Sequence, residues 1–114
     1  MGAYQRNKGA RWERSVVNLL RDAGWEAQRT SPLQAGGVGS DVTANKGRMR
    51  GESFIAQWLA IECKVGQKIS YLKALRQAEG DAAEGFTPCV VAKVDRTEPT
   101  ITMRLADFLA LVER

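Results

Sequence analysis

The stretch Trp58-Leu59-Ala60-Ile61-Glu62-Cys63-Lys64-Val65 decides how this chain is read. Its residues suit a half-buried strand, yet it ends with a carboxylate and an ammonium two positions apart. On a strand, residues i and i+2 share a face, so Glu62 and Lys64 project together while Leu59, Ile61, Cys63 and Val65 point the other way into a core. Extended backwards, the strand runs from about Ser53 to Val65. Phe54, Ala56, Trp58 and Ala60 precede the charged pair on one face, and Ile55, Leu59, Ile61 and Cys63 line the other. Both faces are apolar before the charged end, which predicts a central strand covered on both sides. An acid and a lysine at the end of a buried strand are costly to desolvate, and a divalent cation plus a phosphate would compensate both. The tripeptide E-x-K is weak evidence by itself, because a surface ion pair at a strand end gives the same pattern.

The chain has 114 residues, enough for one core of modest size and too few for two. A single domain over 1-114 is expected. Hydrophobic residues make up 44% and charged residues 26%, ordinary for a soluble globular protein. The net charge of +4 and a pI near 9.4 favour a polyanionic partner, nucleic acid before membrane surface. No apolar run approaches a membrane span, and Met1-Gly2-Ala3-Tyr4-Gln5-Arg6 lacks the apolar core of a signal peptide, so a cytoplasmic protein is expected. Cys63 and Cys89 each sit in an apolar run and read as reduced structural thiols. There is no histidine, which excludes Ser-His-Asp and Cys-His machinery, His-bound zinc and a histidine general base. Any hydrolytic chemistry falls to carboxylates, lysine and a metal.

Upstream of the decisive strand, residues 1-8 carry Arg6 and Lys8 without apolar periodicity and predict a mobile basic arm. A first helix is expected from about Ala10 to Ala23, with a stripe of Trp12, Val16, Leu19, Leu20 and Ala23, Val17 beside it, and Gly24 as its cap. Glu13 lies at the edge of that stripe in the first turn, where on residue grounds alone it reads as an anion placed for the helix dipole. Trp25 to Thr30 alternates as a strand. Ser31 to Ser40, with three glycines, predicts a flexible loop, and Asp41-Val42-Thr43-Ala44 resumes strand character. Asp41 is well placed to hold a metal, although aspartate is common at strand entrances. Asn45-Lys46-Gly47-Arg48-Met49-Arg50-Gly51 reads as a basic hairpin turn, either phosphate-contacting or merely solvated.

Downstream, Ser70 can cap a second helix running to about Glu84 and closed by Gly85. Leu72, Leu75, Ala78, Ala82 and Ala83 are expected inward. Lys73, Arg76, Gln77 and Gly80 then form another face, able to meet DNA. Pro88 to Val94 is a buried strand, and the helix before it implies a parallel crossover from the Glu62 strand. Thr100 to Met103 follows as an edge strand. A last helix carries Leu105, Phe108, Leu109 and Val112 on one stripe, to cover the sheet or a partner subunit. The order helix, three strands, helix, two strands, helix predicts a small α/β sandwich on a mixed sheet.

Taken together, Glu13, Asp41, Glu62 and Lys64 form a pattern that resembles the PD-(D/E)XK nuclease superfamily, and within it the archaeal-type Holliday junction resolvase family, Hjc. The residues that carry the resemblance are Lys8-Gly9-Ala10-Arg11-Trp12-Glu13-Arg14, Gly24-Trp25, Arg29, Gly39-Ser40-Asp41-Val42 and Leu59-Ala60-Ile61-Glu62-Cys63-Lys64. The likeness spans nearly the whole chain, in order. It implies a restriction-endonuclease-like fold, α/β, with a mixed five-stranded sheet flanked by helices. It also implies a magnesium-dependent endonuclease, with manganese as a substitute, that resolves four-way junctions in DNA recombination and repair as a homodimer. Asp41 and Glu62 would bind the metal with the Cys63 carbonyl, and Glu13 directly or through water. Lys64 would orient or activate the attacking water. Arg14 and Arg29 match the family's functional arginines, and Ser31 a family serine near the site. The loop before Asp41 is long for the family, and the segment from Asn45 to Glu52 looks like an insertion.

DNA contacts are expected from Arg6, Lys8, Arg11, Arg14, Arg29 and Ser31, together with Lys46, Arg48 and Arg50. They should be mostly to backbone phosphates. Two other readings stand beside this one: another small nuclease of the superfamily acting on branched, nicked or single-stranded DNA, and a non-catalytic basic DNA-binding subunit. The four intact site residues argue against the second, since acids repel phosphate.

Overall fold

A computed structural model of the chain describes residues 2–30 and 39–112, with side-chain environments from residue 7 onwards. Ser31 and the stretch through Val38, where the sequence leads one to expect a glycine-bearing loop, and the side chain of Arg6 lie outside the described residues. The elements are α1 (Gly2–Asp22), β1 (Glu26–Arg29), β2 (Val42–Arg50), β3 (Ser53–Gly66), α2 (Tyr71–Asp81), β4 (Thr87–Val94), β5 (Thr100–Thr102) and α3 (Leu105–Val112). The strands form one mixed five-stranded sheet in the order β1-β2-β3-β4-β5. β3 and β4 pair in parallel and every other neighbour is antiparallel. The one parallel pair is the one bridged by a helix, as a crossover requires.

Core burial explains the layering. Leu59, Ile61 and partly buried Cys63 of β3 pack with Val42, Ala44 and Cys89 of the neighbouring strands, with Ala27 of β1 and with Val17 of α1. On the opposite face Val90 and Ala92 meet Ala74, Leu75 and Ala78 of α2. Ile61 is fully enclosed, which is worth about 1.5–3 kcal/mol for a side chain of that size. α1 is fixed further by Trp12, whose indole Nε1 donates to the Val91 carbonyl at 3.2 Å. Its C-terminus closes on Gly24 at φ 94°, with Trp25 N–H donating to the Leu20 carbonyl and Gly24 N–H to the Arg21 carbonyl. That pair of bonds is a Schellman cap, and the left-handed φ is why a glycine stands there.

Several expectations are corrected. α1 starts at Gly2, so the backbone of the expected mobile basic arm is helical. Gly9 costs only about 1 kcal/mol inside a helix, and no proline interrupts the run. The expected basic turn from Asn45 is β strand: β2 continues to Arg50, in register with β3 from Arg50↔Ser53 to Val42↔Ile61, and the turn falls at Gly51-Glu52. The Phe54 ring lies over Gly47 across that ladder, where a Cβ would meet it. The cover expected over both faces of β3 reaches only Leu59 to Glu62, leaving Phe54 and Trp58 exposed. α2 ends at Asp81 rather than near Glu84, and Leu72, expected inward, is exposed while Ala74 is buried.

Leu19 on α1 is likewise turned to solvent. The α3 stripe does not cover the sheet: Leu105, Phe108, Leu109 and Val112 are all exposed. Leu111 packs on the core instead, and its carbonyl accepts a hydrogen bond from Gln57 Nε2 at 2.8 Å.

Candidate active site

The hairpin register brings the acids together. Val42 faces Ile61, so the next position along sets Asp41, just before β2, beside Glu62 on β3. Asp41 Oδ2 accepts the Cys63 N–H at 2.9 Å, which ties the aspartate to the very strand that carries Glu62. The Asp41 carbonyl accepts the Thr30 N–H at 3.0 Å, and the Thr30 hydroxyl donates to the Ser40 carbonyl, so Thr30 is held to the Ser40–Asp41 segment at the site.

Glu62 is 4% exposed, and its Oε2 has no hydrogen-bond partner. Burial, with the Asp41 charge second and Lys64 opposing, pushes its pKa up to about 8. Lys64 Nζ stands 3.7 Å from Glu62 Oε1 and donates to Gln77 Oε1 of α2 at 3.2 Å. Strand alternation thus places the acid and the lysine on one face, under α2, as the sequence predicts.

Glu13 is reached differently. Its Oε1 receives Arg29 Nε at 3.0 Å, so α1 and β1 meet through a partly buried ion pair. Among the described residues no group of three or more acidic or cysteine side chains is gathered closely enough to cage an ion. The fit to a cation rests on the Asp41–Glu62 pair: two adjoining carboxylates, one with an orphaned buried oxygen, are an oxygen donor set that lacks a counter-charge. The Cys63 thiol is held far above its usual range by burial and by Asp41, Glu13 and Glu62, which makes its sulfur a poor ligand. Its main chain is what serves the site.

The expected DNA contacts are spread more widely. Arg14 and Arg29 line one cleft with Gln28, Asn18 and Arg21. Arg11 is exposed on α1, and Lys8 pairs with Asp95 at 3.6 Å. Lys46 donates to the Ala23 carbonyl at 3.1 Å and so serves the C-terminus of α1. Arg48 and Arg50 are exposed along β2, which carries Arg48 about 24 Å from Asp41 at strand rise. Sequence reasoning missed the Arg29–Glu13 and Gln77–Lys64 pairings, because neither partner is adjacent in sequence. Only the place of Gln77, on the helix that follows the E-x-K strand, hinted at the second.

The family model described as "Archaeal holliday junction resolvase (hjc)" matches residues 4–107. The chain belongs to the Hjc family. Its fold agrees with a solved Hjc structure, that of the Holliday junction resolvase from the archaeal hyperthermophile Archaeoglobus fulgidus. The TM-score is 0.59 at 22% identity, over 82% of this chain and 73% of that one. Comparison with curated protein sequences yields no match. Hjc proteins are nucleases that act on Holliday junctions, so this chain is a DNA-cutting hydrolase whose substrate is branched DNA, and nucleases of this kind depend on a metal. No described helix is long and apolar enough to cross a membrane.

Proposed function

We propose that the chain cuts four-way junctions as a homodimer, with Asp41, Glu62, Lys64 and Glu13 as its catalytic set and magnesium as its metal. The observation that carries this reading is the buried Glu62 with its unpartnered Oε2 beside Asp41. Asp41, Glu62 and the Cys63 main chain would hold the ion. A bound magnesium supplies a nucleophile near neutral pH and charge stabilisation at the phosphate, and it suits oxygen ligands without histidine.

The chain's own residues do the rest. Lys64, held between Glu62 and Gln77, presents an ammonium where negative charge builds on the phosphate. Glu13 completes the acidic wall, and Arg29 orients it. Arg14, exposed in the cleft that Arg29 also lines, meets the backbone of the junction, and Arg11 extends that surface.

A junction must be cut on two strands, and a twofold pair of sites meets its near-twofold symmetry. The bare apolar stripe of α3 supports a contact between copies there. Asp41→Asn and Glu62→Gln each test the catalytic assignment. Cleavage should fall by at least about a hundredfold while junction binding is kept or tightened, because an acid that repels phosphate is gone. Joint loss of binding and cleavage would show that these residues hold the fold instead.

A further inference from the structure

Beside the catalytic pair, on the α2 side, lies a cleft of about 240 Å³ lined by Lys64, Lys68, Ser70, Lys73, Gln77 and the apolar Val65, Ile69 and Ala74. Three lysines converge on it and no carboxylate lines it. Lys68 and Lys73 form no ion pair among the described residues. The Ser70 side chain makes no capping bond to α2. Ammonium groups crowded into one concavity repel one another unless an anion lies between them. The cleft also shares a wall with the catalytic centre, since Lys64 reaches Glu62 on one side and Gln77 on the other.

We infer that this cleft seats a second backbone phosphate, the neighbour of the scissile one on the same strand, held by Lys68 and Lys73 while Lys64 serves the cut itself. The inference rests on reading the Glu62 centre as the site of strand cleavage. It fits a DNA strand because consecutive phosphates are covalently spaced and carry fixed charge, so that one seat sets the register of the next. The volume admits a phosphodiester with its sugar and excludes a duplex. Lysines recognise the charge of a phosphate rather than a base edge, so this seat should be independent of sequence.

The test is a scan in which single phosphates flanking the cut on a four-way junction are replaced by neutral methylphosphonates, comparing the wild-type chain with the Lys68→Gln/Lys73→Gln double variant. Both lysines are exposed, so the fold should survive, as circular dichroism would verify. One neutral position should slow the wild-type chain by about tenfold or more, the scale of a charge-assisted contact. The double variant should already be slowed to that extent on the unmodified junction, with no further loss from the same replacement. Independent, multiplying losses would overturn the inference, as would a double variant that cuts at the wild-type rate. Binding is the second readout. The slope of log affinity against log salt should fall by about one in the double variant. If the wild-type chain cuts no junction, the reading of the catalytic centre fails while the slope still decides the cleft, and an unchanged slope refutes it.

Discussion

Glu62 differs from an ordinary glutamate because it is buried beside a second carboxylate, Asp41. Its usual value of 4.5 is raised to about 8, mainly by burial and then by Asp41. The folded chain therefore holds a proton between those two values that the unfolded chain has released. Stability from this group is full below 4.5 and is lost as pH rises through 8. Metal-free protein should melt at a lower temperature at pH 9 than at pH 5.5, and Glu62→Gln should flatten that slope in a calorimetric pH series. Magnesium added to the wild-type chain at pH 8 should raise the melting temperature, because an ion that binds only the folded carboxylate pair shifts the equilibrium. Arg29 calls for a separate test: since it holds Glu13 at 3.0 Å, Arg29→Ala should lower the cleavage rate more than it lowers junction affinity. An equal loss in both would make it purely a phosphate contact. That Glu62 and Lys64 share a face is legible from alternation along one strand, whereas Asp41 and Glu13, on other elements, stand out only through the family resemblance. The Arg29–Glu13 and Lys64–Gln77 contacts are not legible, because they join residues 16 and 13 positions apart through tertiary packing.

At the scale of elements, the mixed sheet and the helix between the parallel strands follow from hydrophobic patterning, whereas the full strand order and the element ends do not. From the sequence, the strand that opens at Asp41 ends at Ala44, because Lys46, Arg48 and Arg50 look like a solvated turn. Composition reports exposure, and an exposed ribbon still satisfies its backbone through the ladder to Ser53. The start of α1 at Gly2 is hidden for a similar reason: Gly9 weakens a helix without ending it. Its other end was read correctly at Gly24, since a left-handed cap demands a special residue. Gly24→Ala should cost about 1 kcal/mol in chemical denaturation, the penalty for an L side chain at that φ of 94°. A neutral result would mean that the cap relaxes to another geometry. Lys46→Ala should also lower stability, by about 0.5 kcal/mol, through loss of a cation at the end of α1. It should leave DNA affinity nearly unchanged.

For the whole molecule, the decisive fact is that the buried Asp41–Glu62 pair and the uncovered apolar surface belong to different elements. The Asp41–Glu62 pair sits where β2, β3 and α2 meet, while Leu105, Phe108, Leu109 and Val112 leave α3 bare. The stripe itself was visible in the sequence; whether the sheet or another copy covers it is a three-dimensional matter that periodicity does not encode. Phe108→Glu should convert a dimer to monomers in sedimentation and turn paired cuts into single nicks. Paired cutting by a monomer would remove α3 from the account. The measurement that bears most directly on the central claim is a magnesium-dependent cleavage assay on a mobile four-way junction, beside matched duplex, nicked duplex and single strands, with the cuts mapped on all four arms. Symmetric, paired cuts near the branch point are expected on the junction, with little cutting of the other substrates and none by Asp41→Asn. Equal cutting of all four substrates, or tight binding with no cutting by the wild-type chain, would contradict it.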